Sequence, residues 1–276
     1  MSRNQTWIVL LALLALSAGC RREAPADAAP QPGDAPAQPA PAGDAADPPA
    51  PALEDVIEHD PRYVVGISYP PSAKAHPGLA RALDDYAQAA RQELMQAVEG
   101  LDGPPSAPYE LSLGFRDLMD TPQVVAVAAD GSLYTGGAHG QPLVARFVWL
   151  PQRQEMLTSA RLLASPAGWE AIADYAGEQL GAAAHTRAAD EALDPADRQR
   201  LLGVALKMIE EGTAPEPGNF AAFEPVPAAD GRIAALRFVF PPYQVGPYAD
   251  GVQYVEVPAA VLAPHLAPAY RELFAP

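Results

Sequence analysis

Residues 240–251 read Phe-Pro-Pro-Tyr-Gln-Val-Gly-Pro-Tyr-Ala-Asp-Gly, with three prolines and two glycines, a composition that excludes a central strand or a helix interior. The tyrosines and valine among them are foreign to a merely solvated linker. Residues 233–240 and 252–257 on either side have strand composition and are bounded by turn residues. The segment is therefore expected to be a stiff loop between two strands, holding Tyr243 and Tyr248 at low entropic cost, braced by Pro241, Pro242 and Pro247.

A second loop signal lies at Tyr134-Thr135-Gly136-Gly137-Ala138-His139-Gly140, between expected strands 123–128 and 143–150. Its glycines can supply positive φ. His139 can be read as a group that polarises a ligand, or as one whose imidazole hydrogen bond fixes the loop, while Tyr134 is read as packing in the core.

Together the two segments resemble the RsiV-like family, whose members carry a PdaC-type domain with a Tyr-x-Gly-Gly-Ala-His loop followed by a Phe-x-Pro-Tyr-x-Val-x-Pro-Tyr-x-x-Gly signature. The second signature is matched at Phe240, Pro242, Tyr243, Val245, Pro247, Tyr248 and Gly251. The resemblance covers most of the chain after about residue 60 and implies recognition of a macromolecular ligand such as lysozyme. In that family lysozyme binding releases a sigma factor from a membrane-spanning protein with a cytoplasmic segment, a design that the start of this chain does not share. A PdaC-type enzyme deacetylates with a separate metal-dependent domain, and no segment here resembles it.

The N-terminus sets the expected compartment. Arg3, an apolar stretch over residues 7–18 and Ser17-Ala18-Gly19-Cys20 form a secretory signal that is too short to span a bilayer, which takes about 20 apolar residues. Cys20 is the only cysteine, so no intramolecular disulfide can form, and it falls where a bacterial lipoprotein signal is cut and acylated. The alternatives are a cleaved soluble protein with a free thiol, or a core cysteine. Arg21, in place of Asp, follows the rule for outer-membrane sorting in Gram-negative bacteria and points to an anchor facing the periplasm.

The expected domain plan is a signal peptide at 1–19, a Pro/Ala-rich tether at 20–55, a PdaC-like subdomain at 56–150 and an RsiV-like subdomain at 151–276. The tether is almost devoid of groups that could form a core and should remain disordered, its prolines stiffening it toward about 3.1 Å per residue. The net charge of −16 argues against nucleic acid or anionic lipid as partner. A basic protein would be steered toward such a chain, although acidity also serves solubility.

Alternating helical and strand patterns give an α+β class, with two small subdomains, each a mainly antiparallel sheet covered by helices. Strands are expected at 63–69 and 109–116, besides those named, and a helix over 76–98 with Leu79, Leu83, Tyr86, Ala90, Leu94 and Val98 inward. Further helices are expected over 166–180, with Ser165 as N-cap, from Asp194-Pro195 with Leu201, Ala205, Met208 and Ile209 inward and Gly212 at the end, and over 261–273.

Chemistry-bearing patterns are sparse. The five histidines lack the spaced partners of a zinc motif, and there is no Gly-x-Ser-x-Gly elbow, Walker loop or free cysteine nucleophile. The reading is a non-enzymatic, cofactor-free recognition protein anchored by lipid at Cys20, with Pro241, Pro242, Tyr243, Pro247 and Tyr248 in contact with ligand. Tyr134, Gly136, Gly137 and His139 are assigned to loop structure. The other reading is a peptidoglycan-binding or structural envelope lipoprotein.

Overall fold

The computed structural model describes residues 50–189 and 194–276. Cys20, the signal and most of the tether lie outside the described residues. The class is α+β, with a six-stranded mixed sheet, a three-stranded antiparallel sheet and five α-helices among the described residues.

The first sheet has its strands in chain order: β1 Val56–Asp60, β2 Tyr63–Ser68, β3 Tyr109–Asp120, β4 Val125–Tyr134, β5 Gln141–Leu150 and β6 Glu155–Met156. β1 has no counterpart among the sequence expectations, because Val-Ile-Glu-His-Asp carries too little apolar pattern for an edge strand to stand out. Asp60 turns it into β2 by accepting hydrogen bonds from the Arg62 backbone N–H and Nε, at 2.9 and 3.0 Å.

Helix α1, Pro77–Glu99, then crosses over to place β3 parallel to β2, while β3, β4 and β5 form the expected antiparallel series. The apolar positions of α1 face the sheet as expected, except that Tyr86 is half-buried and meets Phe147 edge-on at 5.8 Å. β4 runs six residues beyond its expected end. Asp130-Gly131-Ser132 has turn composition, yet a Cβ on Gly131 would come within 2.0 Å of the Ser112 carbonyl oxygen. That glycine serves close strand approach instead of a turn.

The rest comprises α2 Ser159–Leu162, α3 Ala167–Ala188, α4 Pro195–Gly212, β7 Phe223–Pro227, β8 Ile233–Phe240, β9 Gln253–Pro258 and α5 Ala259–Leu262, with order β7-β8-β9 in the second sheet. Asp194-Pro195 opens α4 as expected, and the Asp194 side chain caps it, accepting from the Ala196 backbone N–H at 2.9 Å. Ser165 does not cap α3 with its side chain; its carbonyl accepts from the Gly168 N–H at 3.2 Å and Pro166 holds the cap position. The helix expected over 261–273 is divided, because Pro264 and Pro268 leave only α5 and a 3-10 turn at Pro268–Leu273.

The inward face expected for α4 is also corrected. Ile209 is buried, Ala205 and Met208 are partly exposed and Leu201 is largely exposed.

Two apolar clusters share the middle of the first sheet. Val125, Val127, Ala129 and Trp149 face α1, while Ala126, Val148 and Leu150 join Trp169, Phe220, Phe238 and Phe240 in the second cluster. Val125–Ala129 is thus buried on both faces, the property of a strand enclosed between two layers.

A buried ionic network joins the two sheets. The Arg146 side chain of β5 is 1% exposed and donates through Nε to Glu224 Oε1 of β7 at 2.7 Å, Glu224 itself being 6% exposed. Arg146 Nη1 reaches Asp130 at 2.9 Å, and Arg237 Nη1 approaches Glu224 Oε2 at 3.5 Å. The pairing fixes β7 and β8 against β4 and β5, which brings the loop after β8 toward the β4–β5 hairpin tip.

Candidate functional site

The tyrosine loop begins where β8 ends. The Gln244 N–H donates to the Pro241 carbonyl at 3.1 Å, closing a four-residue turn with Pro242 second and Tyr243 third. Tyr243 has φ +75°, the value of the third residue of a type II turn, where glycine or asparagine is favoured. Tyr243 and Gln154 are the two non-glycine residues with positive φ among the described residues. Tyr243 is nonetheless 55% exposed.

The rest of the loop is anchored from behind. Gln244 donates its side-chain amide to the carbonyls of Gly212 and Asn219, at 2.9 and 2.8 Å, and Val245 is buried. Gly212, the last residue of α4, permits this approach, since a Cβ there would fall 2.1 Å from the Gln244 carbonyl oxygen. Pro247 then leads into a 3-10 turn at Tyr248–Asp250, ended by Gly251 at φ +68°, ψ −159°, a region suited only to glycine.

The Tyr134–Gly140 segment forms the β4–β5 tip. Gly136 and Gly137 hold φ +101° and +93°, and the Tyr134 hydroxyl donates to the Gly137 carbonyl at 3.3 Å. Tyr134, read as a core residue, is half-buried at the loop base; its hydroxyl serves the loop and needs the polar edge.

The two motifs meet through His139. Its ring stacks on Tyr248 at 3.9 Å between centroids and 14° between planes, and its Nε2 lies 2.9 Å from the Tyr243 hydroxyl. Nδ1 lies 3.2 Å from the Gly140 carbonyl, which can only accept, so Nδ1 carries the hydrogen and Nε2 of the neutral ring accepts from Tyr243. Tyr243 and Tyr248 are 5.7 Å apart, completing a three-ring surface.

Of the residues predicted from sequence, His139, Tyr243 and Tyr248 come together, Gly136, Gly137 and Tyr134 shape one side, and Pro241, Pro242 and Pro247 shape the other. Gln244 and Gly212 escaped the sequence reading. The signal for Gln244 was its place between Tyr243 and Tyr248 in a proline-braced turn; Gly212 was read only as a helix stop.

The surface has stacking faces and hydroxyl and imidazole hydrogen-bonding groups, which suit recognition by contact. Among the described residues no group of three or more His, Cys, Asp or Glu could hold a metal ion, and no helix is long and apolar enough to cross a membrane.

No protein-family model matches the chain, and no curated protein sequence matches it. Solved structures that the chain resembles include two. One is a DUF3298 family member from Bacteroides fragilis NCTC 9343, at 14% identity and TM-score 0.48, covering 79% of this chain and 94% of that one. The other is a DUF3298 family protein from Pseudomonas aeruginosa PAO1, at 16% identity and TM-score 0.46, covering 83% and 98%.

Proposed function

We propose that this chain is a lipid-anchored recognition protein of the cell envelope, tethered through Cys20, whose His139-Tyr243-Tyr248 surface binds a macromolecular partner without catalysing a reaction. The observation that supports it most is the exposed Tyr243 held at φ +75°. Placing a non-glycine residue there costs on the order of 1–3 kcal/mol, and such strain concentrates at ligand-contacting positions. A tyrosine braced by two prolines contributes contact area with little ordering loss on binding. The net charge of −16 favours a basic protein, and the RsiV-like resemblance makes a lysozyme-type muramidase the first partner to test.

Tyr243→Gly separates binding from folding. Glycine relieves the positive φ, so the melting temperature should hold or rise slightly, while affinity for a basic lysozyme falls by about 1–3 kcal/mol. Calorimetric titration and thermal unfolding of the same protein decide the matter. Unchanged affinity defeats the reading, and a peptidoglycan pull-down retained by wild type but not by Tyr243→Gly would redirect it to the wall polymer.

Anchoring has its own test. Cys20→Ser should leave an unprocessed precursor that incorporates no clickable fatty acid, because serine lacks the thiol that would carry the acyl-bearing glyceryl group. Labelling equal to wild type would refute the anchor.

A further inference from the structure

Seven large apolar side chains are exposed among the described residues, and five of them, Leu201, Val204, Leu206, Tyr243 and Tyr248, lie on α4 or in the tyrosine loop. Scattered exposed apolar residues need no explanation, but a concentration beside a candidate site does. Leu201 and Val204, at 46% and 52% exposed, line a mainly apolar cavity of about 310 Å³ with Ala184 and Ala188 of α3 and with Pro247 and Asp250 of the tyrosine loop. The two alanines leave the space open. Pro247 and Asp250 flank Tyr248 in the chain, which places the cavity beside the ring cluster.

The rim carries a carboxylate. Asp250 Oδ2 lies 3.6 Å from Arg187 Nη2, a long and solvated pair that contributes little and can be exchanged for an incoming cation. The cavity therefore joins an apolar pocket to a rim where Asp250 is paired with Arg187, on a chain of charge −16 that favours a cationic newcomer over a second anion.

We infer that this cavity is a second contact point of the same recognition surface, taking one aromatic or aliphatic anchor side chain of a basic protein, with a neighbouring lysine or arginine bound to Asp250. The inference rests on the recognition reading above and names the chemistry of the partner. Anchors of this kind occupy pockets next to rigid aromatic contacts and carry much of the affinity, whereas rim charges act mainly on association.

Two variants of the full chain test it against a basic lysozyme. Val204→Asp places a charge at an exposed pocket position and should speed dissociation by about ten- to a hundredfold with little change in association, since interface substitutions act mostly on the off-rate. Asp250→Asn should slow association at low salt and flatten its dependence on ionic strength. Both should retain the wild-type melting temperature within a few degrees, because Val204 is exposed and the long Asp250–Arg187 pair contributes little.

A probe independent of lysozyme accompanies them. N-acetyl-tryptophanyl-lysine amide, titrated against methyl-labelled protein, should shift the Leu201 and Val204 methyl resonances, and the tryptophanyl-glutamate counterpart should not. If Tyr243→Gly weakens lysozyme binding and Val204→Asp leaves it unchanged, the cavity is no part of the surface and this inference fails while the recognition reading stands. If wild type binds no lysozyme, the partner assignment fails. The cavity is then judged by the peptides: selective shifts from the lysine peptide keep it, and equal or absent shifts overturn it.

Discussion

Replacing Glu224 by alanine should cost about 3–5 kcal/mol of unfolding free energy, the range for breaking a buried ion pair by removal of one partner. The reason is what remains behind. Arg146 is enclosed between the sheets with its Nε 2.7 Å from Glu224, and its Nη2 already has no partner, so the substitution leaves two of its three nitrogens buried and unpaired, with only the Asp130 carboxylate and two backbone carbonyls on Nη1 to offset the charge. Arg237 loses a neighbour as well, but it is partly exposed and can turn outward. A double change of Arg146→Met and Glu224→Leu should recover most of the loss, since an apolar pair of similar volume is often as stable as the ions it replaces. Urea unfolding of the three proteins measures both effects. A loss under about 1 kcal/mol for Glu224→Ala would mean that the network behaves as a surface pair.

Gly212→Ala should be nearly as harmful, and a neighbouring glycine supplies its control. A Cβ at Gly212 would meet the Gln244 backbone oxygen at 2.1 Å and a Val245 side-chain carbon at 2.9 Å, so either α4 or the tyrosine loop must move. Overpacking against backbone costs about 1–3 kcal/mol, and here it also disturbs the Gln244 bonds to Gly212 and Asn219. Gly203, in the same helix, has nothing within 4 Å of its Cβ position. Gly203→Ala should therefore stabilise by up to about 1 kcal/mol through helix propensity alone. Opposite shifts in melting temperature are expected, each about 2–4 °C per kcal/mol for a domain of this size. Gly212→Ala should also weaken ligand binding, because it displaces the turn that presents Tyr243. Shifts of the same sign for both glycines would remove the close approach as the explanation.

Elements whose signal lies within their own residues were legible in the sequence. The three- and four-residue spacing from Leu79 to Val98 set α1, Asp194-Pro195 opened α4 with a cap that the backbone N–H of Ala196 engages, and Phe240 closed β8 before the double proline. Where the reading erred, a distant partner overrode the local pattern. Asp130-Gly131-Ser132 continues β4 because β3 lies close against it, and Leu201 is exposed although its spacing is that of an inward face, because no further layer among the described residues covers that side of α4.

The candidate site divides in the same way. The sequence by itself determined that a stiff, proline-braced loop would hold Tyr243 and Tyr248 and that a Gly-Gly loop would carry His139, since φ limits and missing N–H groups are properties of the residues themselves. That His139 stacks on Tyr248 and accepts from Tyr243, 104 residues away, was decided only when the sheets packed. Arg146 and Glu224, 78 residues apart, were likewise two ordinary charges until burial excluded water from between them. Contacts at such separation leave no periodicity or spacing to read; their energy arises from desolvation and packing, which exist only in the folded chain.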